Sequence, residues 1–194
     1  MLCWHIGGTT VRVSVLFFAA AVVWLTLDGS GLAVWCLLAS FLHEMGHLTA
    51  LAACGRQPAT VEAGIFGVRM TQNPETPLSY GRNIIVSLAG PLVNLLTAIL
   101  LTTVDAMPGA IAVQLSIGLF NLLPVEALDG GQALFCLLAT HMEATRAERI
   151  VLAVSVAAIL PLATLGCLLL LYSGYNFTLL AVSLYLGLLL IFKR

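Results

Sequence analysis

Charge is scarce in this sequence. Asp, Glu, Lys and Arg make up 9% of its 194 residues, where ordinary soluble domains carry roughly a quarter. Hydrophobic residues make up 60% and mean hydropathy is +1.05. A soluble fold of this length has too much surface for its volume to hide that much apolar area. The formal net charge is −1, so no basic patch points to nucleic acid as a partner. Paired cysteines are lacking too. Cys3, Cys36, Cys54, Cys136 and Cys167 are scattered, without a CxxC pair. They read as small buried hydrophobes, not as a disulfide framework. No convincing A-x-A cleavage site follows the apolar run Val13–Leu27, so it reads as a retained span, not a signal peptide. No internal repeat, low-complexity tract or soluble domain is visible.

What the sequence does have is six apolar stretches, at about 11–27, 31–53, 83–104, 110–140, 150–172 and 177–192. A crossing helix needs about 20 residues, within a range of roughly 17–25. The first and last stretches are short, and the fourth is too long and is broken by Pro124 and Gly130-Gly131. Irregular backbone at membrane depth is tolerated only where protein or a wet cavity surrounds it, so the broken stretch marks a candidate site. With the N-terminus cytoplasmic, the connections 28–30, 105–109 and 173–176 lie outside and contain no Lys or Arg. Arg12, Arg56, Arg69, Arg82, Arg146, Arg149, Lys193 and Arg194 all fall on the other side, a positive-inside pattern that puts both termini in the cytoplasm. The expected architecture is a single membrane-embedded domain over 1–194. It is an all-α polytopic membrane protein of about six transmembrane helices, with a small β-hairpin between spans two and three. That hairpin is read from Thr60–Ala63 and Ile65–Met70 around Gly64.

His43-Glu44-Met45-Gly46-His47 is an HExxH motif within the second stretch. Residues four apart share a helix face, so His43 and His47 can reach one metal ion. Glu44 beside them can take a proton from the water that such a metal activates. An ionisable cluster inside an apolar span is costly and defaults to a functional reading. Imidazole and carboxylate ligands in a tetrahedral site favour Zn2+, one per chain. A protease site needs a third protein ligand and an open fourth position. Asp129, Glu126, His141 and Glu143 are the candidates. His141 and Glu143 lie in a polar loop that reads as solvated. Asp129 is favoured by depth: His47 lies roughly 10 Å and Asp129 roughly 16 Å from the cytoplasmic boundary at 1.5 Å per residue. Gly130 and Gly131 would let backbone approach metal or substrate closely.

Together these residues resemble the site-2 protease family of intramembrane zinc metalloproteases. The likeness is carried by His43-Glu44-Met45-Gly46-His47, by Ala89-Gly90-Pro91-Leu92-Val93-Asn94, and by Asn121-Leu122-Leu123-Pro124 through Leu128-Asp129-Gly130. It covers the chain from about residue 39 to 132. The resemblance implies His43, His47 and Asp129 as zinc ligands and Glu44 as general base. It also implies that Asn121 orients substrate or the oxyanion, with Asn94 near the cleft or in an interhelical hydrogen bond. Within the family the chain looks most like the six-span group typified by the stage IV sporulation FB protease. It ends at Arg194 without a CBS domain and has no PDZ insertion, so nucleotide regulation through a CBS domain is not expected. Ala127 and Gln132 stand where many members have Pro and a basic residue.

The activity this implies is regulated intramembrane proteolysis near the cytoplasmic face of a bacterial cytoplasmic membrane. Its substrate would be a membrane-associated protein, such as a pro-sigma factor or another membrane-tethered regulator. Membrane inhibitor or regulator proteins are further expected partners, beside the lipid bilayer itself. The edge of the 59–70 hairpin is expected to pair with an extended substrate. Two alternatives remain open from the residues. One is a prenyl-protein-type HExxH peptidase with Glu126 or Glu143 as third ligand. The other is a non-catalytic zinc-binding membrane scaffold. A transporter would want more intramembrane ionisable residues and a repeat.

Overall fold

The computed structural model describes residues 2–6, 8–64, 67–72, 77–104 and 106–192. Along the chain run β1 (Leu2–Ile6), β2 (Thr9–Val13), α1 (Val15–Leu27), α2 (Leu32–Ala53), β3 (Pro58–Gly64), β4 (Gly67–Gln72), α3 (Tyr80–Thr103), α4 (Pro108–Asn121), α5 (Asp129–Ala139), α6 (Ala144–Ser173) and α7 (Thr178–Phe192). They form two compact units, Met1–Leu119 and Phe120–Arg194. α2, α3 and α6 are long and apolar enough to cross a membrane, while α1, α4 and α7 are shorter apolar helices. The broken stretch 110–140 is two helices, α4 and α5, with the Pro124 loop between them.

The expectation of an all-α chain with one hairpin is corrected here. The strands form a four-stranded sheet in the order β1-β2-β3-β4. β3 and β4 pair antiparallel, as do β1 and β2, and β2 runs parallel to β3 with Thr10 opposite Thr60 and Val13 opposite Ala63. The start of the first apolar stretch therefore belongs to a strand, and α1 begins only at Val15, capped by the Ser14 hydroxyl. Ile65 and Phe66, read as strand from the sequence, lie outside the described residues.

Parallel strands need a crossover, and here α1 and α2 supply it. The chain leaves the sheet at Val13, runs through both helices and returns to it at Pro58. Between the helices, Gly31 adopts a left-handed conformation (φ 75°), and the Asp28 carboxylate accepts hydrogen bonds from Ser30 and from the Ala33 amide at the start of α2. The Ser30 hydroxyl and these amides hold the Asp28 carboxyl below its ordinary range. Arg12 on β2 and Glu62 on β3 form an exposed ion pair at 2.8 Å, which orients the strands more than it stabilises them.

The burial pattern is inverted relative to a soluble core. Within the first unit most buried helix positions are small or polar, among them Ala39, His43 and His47 on α2, Gly90, Asn94 and Ala98 on α3, and Ala110, Gln114 and Gly118 on α4, with Leu51 and Pro91 the larger exceptions. Large apolar side chains face outward, among them Ile85, Leu92, Leu96, Ile99 and Leu100 of α3. Lipid solvates such side chains as well as a core would, so membrane helices associate through close packing of small residues and polar contacts. The five cysteines are all free, but only Cys136 is buried, while Cys3 and Cys167 are exposed. This corrects their reading as buried hydrophobes.

In the second unit the same logic joins α6 to α7. A Cβ on Gly166 would lie 2.6 Å from the Leu180 amide nitrogen. Gly166→Ala should therefore push the two helices apart and cost about 1–3 kcal/mol, as overpacking does. Thermal unfolding in detergent would register this as a lower midpoint.

Candidate metal centre

α2 and α3 cross on glycine. A Cβ on Gly46 would meet the Ala89 carbonyl oxygen at 2.7 Å, and one on Gly90 would meet His47 Nε2 at 2.4 Å and His43 Nε2 at 2.9 Å. The absence of side chains at 46 and 90 is what makes room for two imidazoles between the helices. His43 and His47 are 6% and 9% exposed, so neither ring can rely on water for its hydrogen bonds.

Each ring is held from behind. His47 Nδ1 lies 2.7 Å from the Val86 carbonyl oxygen. A carbonyl only accepts, so Nδ1 carries the proton and donates it. His43 Nδ1 lies 2.7 Å from Asn94 Oδ1. The amide orientation of Asn94 is fixed independently, because its Nδ2 donates to the Ala39 carbonyl at 3.0 Å and to Gln114 Oε1 at 2.7 Å. Its oxygen must therefore face His43, and His43 Nδ1 must be the donor.

With both protons on Nδ1, the neutral rings direct their Nε2 lone pairs toward each other, 3.1 Å apart. A cation shared by the two nitrogens would be held by both. At zinc–nitrogen distances of about 2.0–2.1 Å, two nitrogens so spaced subtend about 100° at the ion, near the tetrahedral value. Nδ1–H donation to a carbonyl or amide oxygen is the arrangement that fixes the ligating tautomer of a metal-bound histidine. The donor set thus fits zinc. The two imidazoles belong to the unit Met1–Leu119 and the Asp129 carboxylate to the unit Phe120–Arg194.

Asp129 is placed by its own unit. It opens α5, where the helix dipole favours a carboxylate. The preceding loop folds back on that first turn: Leu128 N donates to the Val125 carbonyl at 2.8 Å, and Val125 N to the Leu123 carbonyl at 2.8 Å. Cβ atoms on Gly130 and Gly131 would lie 2.2 Å from the Leu122 and 2.0 Å from the Val125 carbonyl oxygens. The close approach read from these glycines is therefore made by the chain's own loop. Ser155 on α6 anchors it, accepting from the Glu126 amide at 2.8 Å while donating to the Val151 carbonyl at 2.7 Å. Irregular backbone at this depth is thus satisfied by protein.

Glu44 is half-buried on α2 and Asn121 half-buried at the end of α4. Glu126 lines a cavity of the second unit with Glu148 and Arg149. His141 is exposed, its ring against the Thr140 hydroxyl, and Glu143 is the exposed residue capping α6. The Val86 carbonyl and Gln114 escaped the sequence reading. A backbone acceptor has no sequence signal, but Ala110, Gln114 and Gly118 recur at four-residue spacing, a small-polar stripe visible without a structure.

A family model described as Peptidase family M50 matches residues 109–162, a stretch that holds Asn121 and Asp129 but not the two histidines. No curated protein matches the chain. Among solved structures the chain is similar to a site-2 protease from Methanocaldococcus jannaschii, with TM-score 0.61 and 21% identity over 95% of this chain and 91% of that one. At that identity the likeness establishes a shared fold. Gly90→Ala would drive a methyl group into both Nε2 positions, and zinc affinity measured against a competing chelator should fall at least about tenfold.

Proposed function

We propose that this chain is an intramembrane zinc metalloprotease that hydrolyses peptide bonds of membrane-associated proteins near the cytoplasmic face. The observation that carries this reading is the pair of buried imidazoles whose Nε2 atoms converge at 3.1 Å while their Nδ1 protons are committed elsewhere. The shared fold and the match to family M50, whose peptidases are zinc-dependent, support it. Asp129 is the third ligand, and the helices α1 to α7 make about six spans with both termini cytoplasmic. The sheet supports that orientation, since β1, β2 and the α2–α3 connection share one sheet carrying Arg12 and Arg69.

When bound, zinc supplies Lewis acidity that lowers the pKa of water to about 7 and polarises a carbonyl. Glu44 takes a proton from the attacking water as its oxygen bonds to the scissile carbon. When the C–N bond breaks, Glu44 returns that proton to the leaving amine. Asn121 donates to the developing oxyanion. The substrate must be extended for this, and the edge strand β4 offers backbone groups to hold it so. A membrane-tethered regulator such as a pro-sigma factor is the substrate class this predicts.

Glu44→Gln should keep zinc and fold while slowing cleavage of a co-expressed tethered substrate by at least about a hundredfold. Asp129→Ala should lose zinc in metal analysis of the purified protein. Full cleavage by the first variant, or full zinc with the second, would overturn the assignment. Adjacent strand positions point their N–H groups to opposite sides, so Met70→Pro and Thr71→Pro should differ. The one that removes the outward N–H should slow cleavage in a protein that still folds, and equal activity of both with wild type would refute substrate pairing at β4.

A further inference from the structure

Gln114 is the most completely buried polar side chain of α4, 1% exposed. Its Oε1 accepts from Asn94 Nδ2 at 2.7 Å. Its own Nε2 is, among the described residues, the buried side-chain nitrogen with no hydrogen-bond partner. A buried donor left without an acceptor is costly, and each such group in a folded protein calls for an explanation. Turning the amide over would place Nε2 against Asn94 Nδ2, donor against donor, and would break the contact it now makes. The observed orientation therefore serves Asn94.

Asn94 Nδ2 has two protons, and both are used, one on the Ala39 carbonyl and one on Gln114. Each contact disfavours the flipped amide, in which the oxygen would face two acceptors and the nitrogen would face His43. We propose that Gln114 is a positioning residue for the metal centre. It acts through Asn94 to keep Oδ1 on His43 Nδ1, and so keeps the His43 Nε2 lone pair directed at the ion. The chain Gln114 Oε1, Asn94 Nδ2, Asn94 Oδ1, His43 Nδ1 has links of 2.7 Å at both ends and lies wholly within the unit Met1–Leu119. Gly118, one turn on, brings α4 close enough for it: a Cβ there would meet Asn94 Cβ at 3.2 Å. This inference rests on the reading of His43 and His47 as zinc ligands.

The test is Gln114→Met, which keeps the volume, removes the acceptor and removes the orphaned donor. Zinc affinity of the full-length protein in detergent, read by chelator competition, should weaken by roughly three- to tenfold, below the 10–100-fold typical of direct ligand supports. The melting temperature of the metal-free protein should stay level or rise. A purely structural role predicts the opposite, with melting temperature and affinity falling together, or a protein that fails to fold, and either result would overturn the proposal. So would unchanged zinc affinity. Asn94→Ala and the double variant complete a cycle: if Gln114 acts through Asn94, the double variant should bind zinc like Asn94→Ala alone, whereas additive losses would refute that route. Wild-type protein that binds no zinc would overturn the metalloprotease reading itself, an outcome distinct from all of these.

Discussion

Two imidazoles held with their lone pairs face to face are the constraint on which the first unit is built. The contact lies almost wholly out of reach of water. It persists because each ring is fixed through Nδ1 by an acceptor that cannot turn away: the Val86 carbonyl for His47 and the Asn94 oxygen for His43. Those acceptors belong to α3, so the position of α3 against α2 decides the tautomer of both histidines. The packing and the chemistry of this unit are therefore one problem.

Small residues solve it. Gly46 and Gly90 let the two helices approach until backbone meets backbone, and the imidazoles fill the space a turn away. In a soluble protein that interface would be filled with leucine. Here leucine gains nothing from leaving lipid, so the large side chains stay outside and the interior is left to glycine, alanine and amides. A polar network in such an interior must be closed to be tolerated. It is closed at His43, Asn94 and Ala39, and among the described residues its open end is the Gln114 nitrogen.

Much of this was legible in the sequence, for reasons that differ by element. HEMGH needed only the four-residue repeat of a helix, and the break after α4 needed only Pro124 and the two glycines. The N-terminal strands were not legible. β1 and β2 are five residues each, and the pairing of β2 with β3 joins Thr10 to Thr60 across both intervening helices, so no local pattern announces it. Val11 and Val13 merge in sequence with the apolar run that follows, which hid the strand-to-helix switch at Ser14. Asn94 was half legible: an interhelical hydrogen bond and a place near the site were weighed as alternatives, and the structure makes them the same bond. The Val86 carbonyl was beyond reach, because a backbone acceptor carries no signal in the sequence.

The loop before α5 shows how a broken helix can be more precise than a whole one. A continuous helix would place a carboxylate at position 129 on whichever face the register dictates. Ending α4 at Asn121 and restarting at Asp129 frees the register, and the seven intervening residues then fix it anew. Two glycines let the loop lie against the first turn of α5, and the Ser155 hydroxyl accepts from the Glu126 amide. The carboxylate thus sits at a helix N-terminus, on a segment held by backbone contacts on both sides. Substituting either glycine would move Asp129 through the loop without touching the carboxylate, which is why a ligand-bearing turn of this kind carries its smallest residues next to its most polar one.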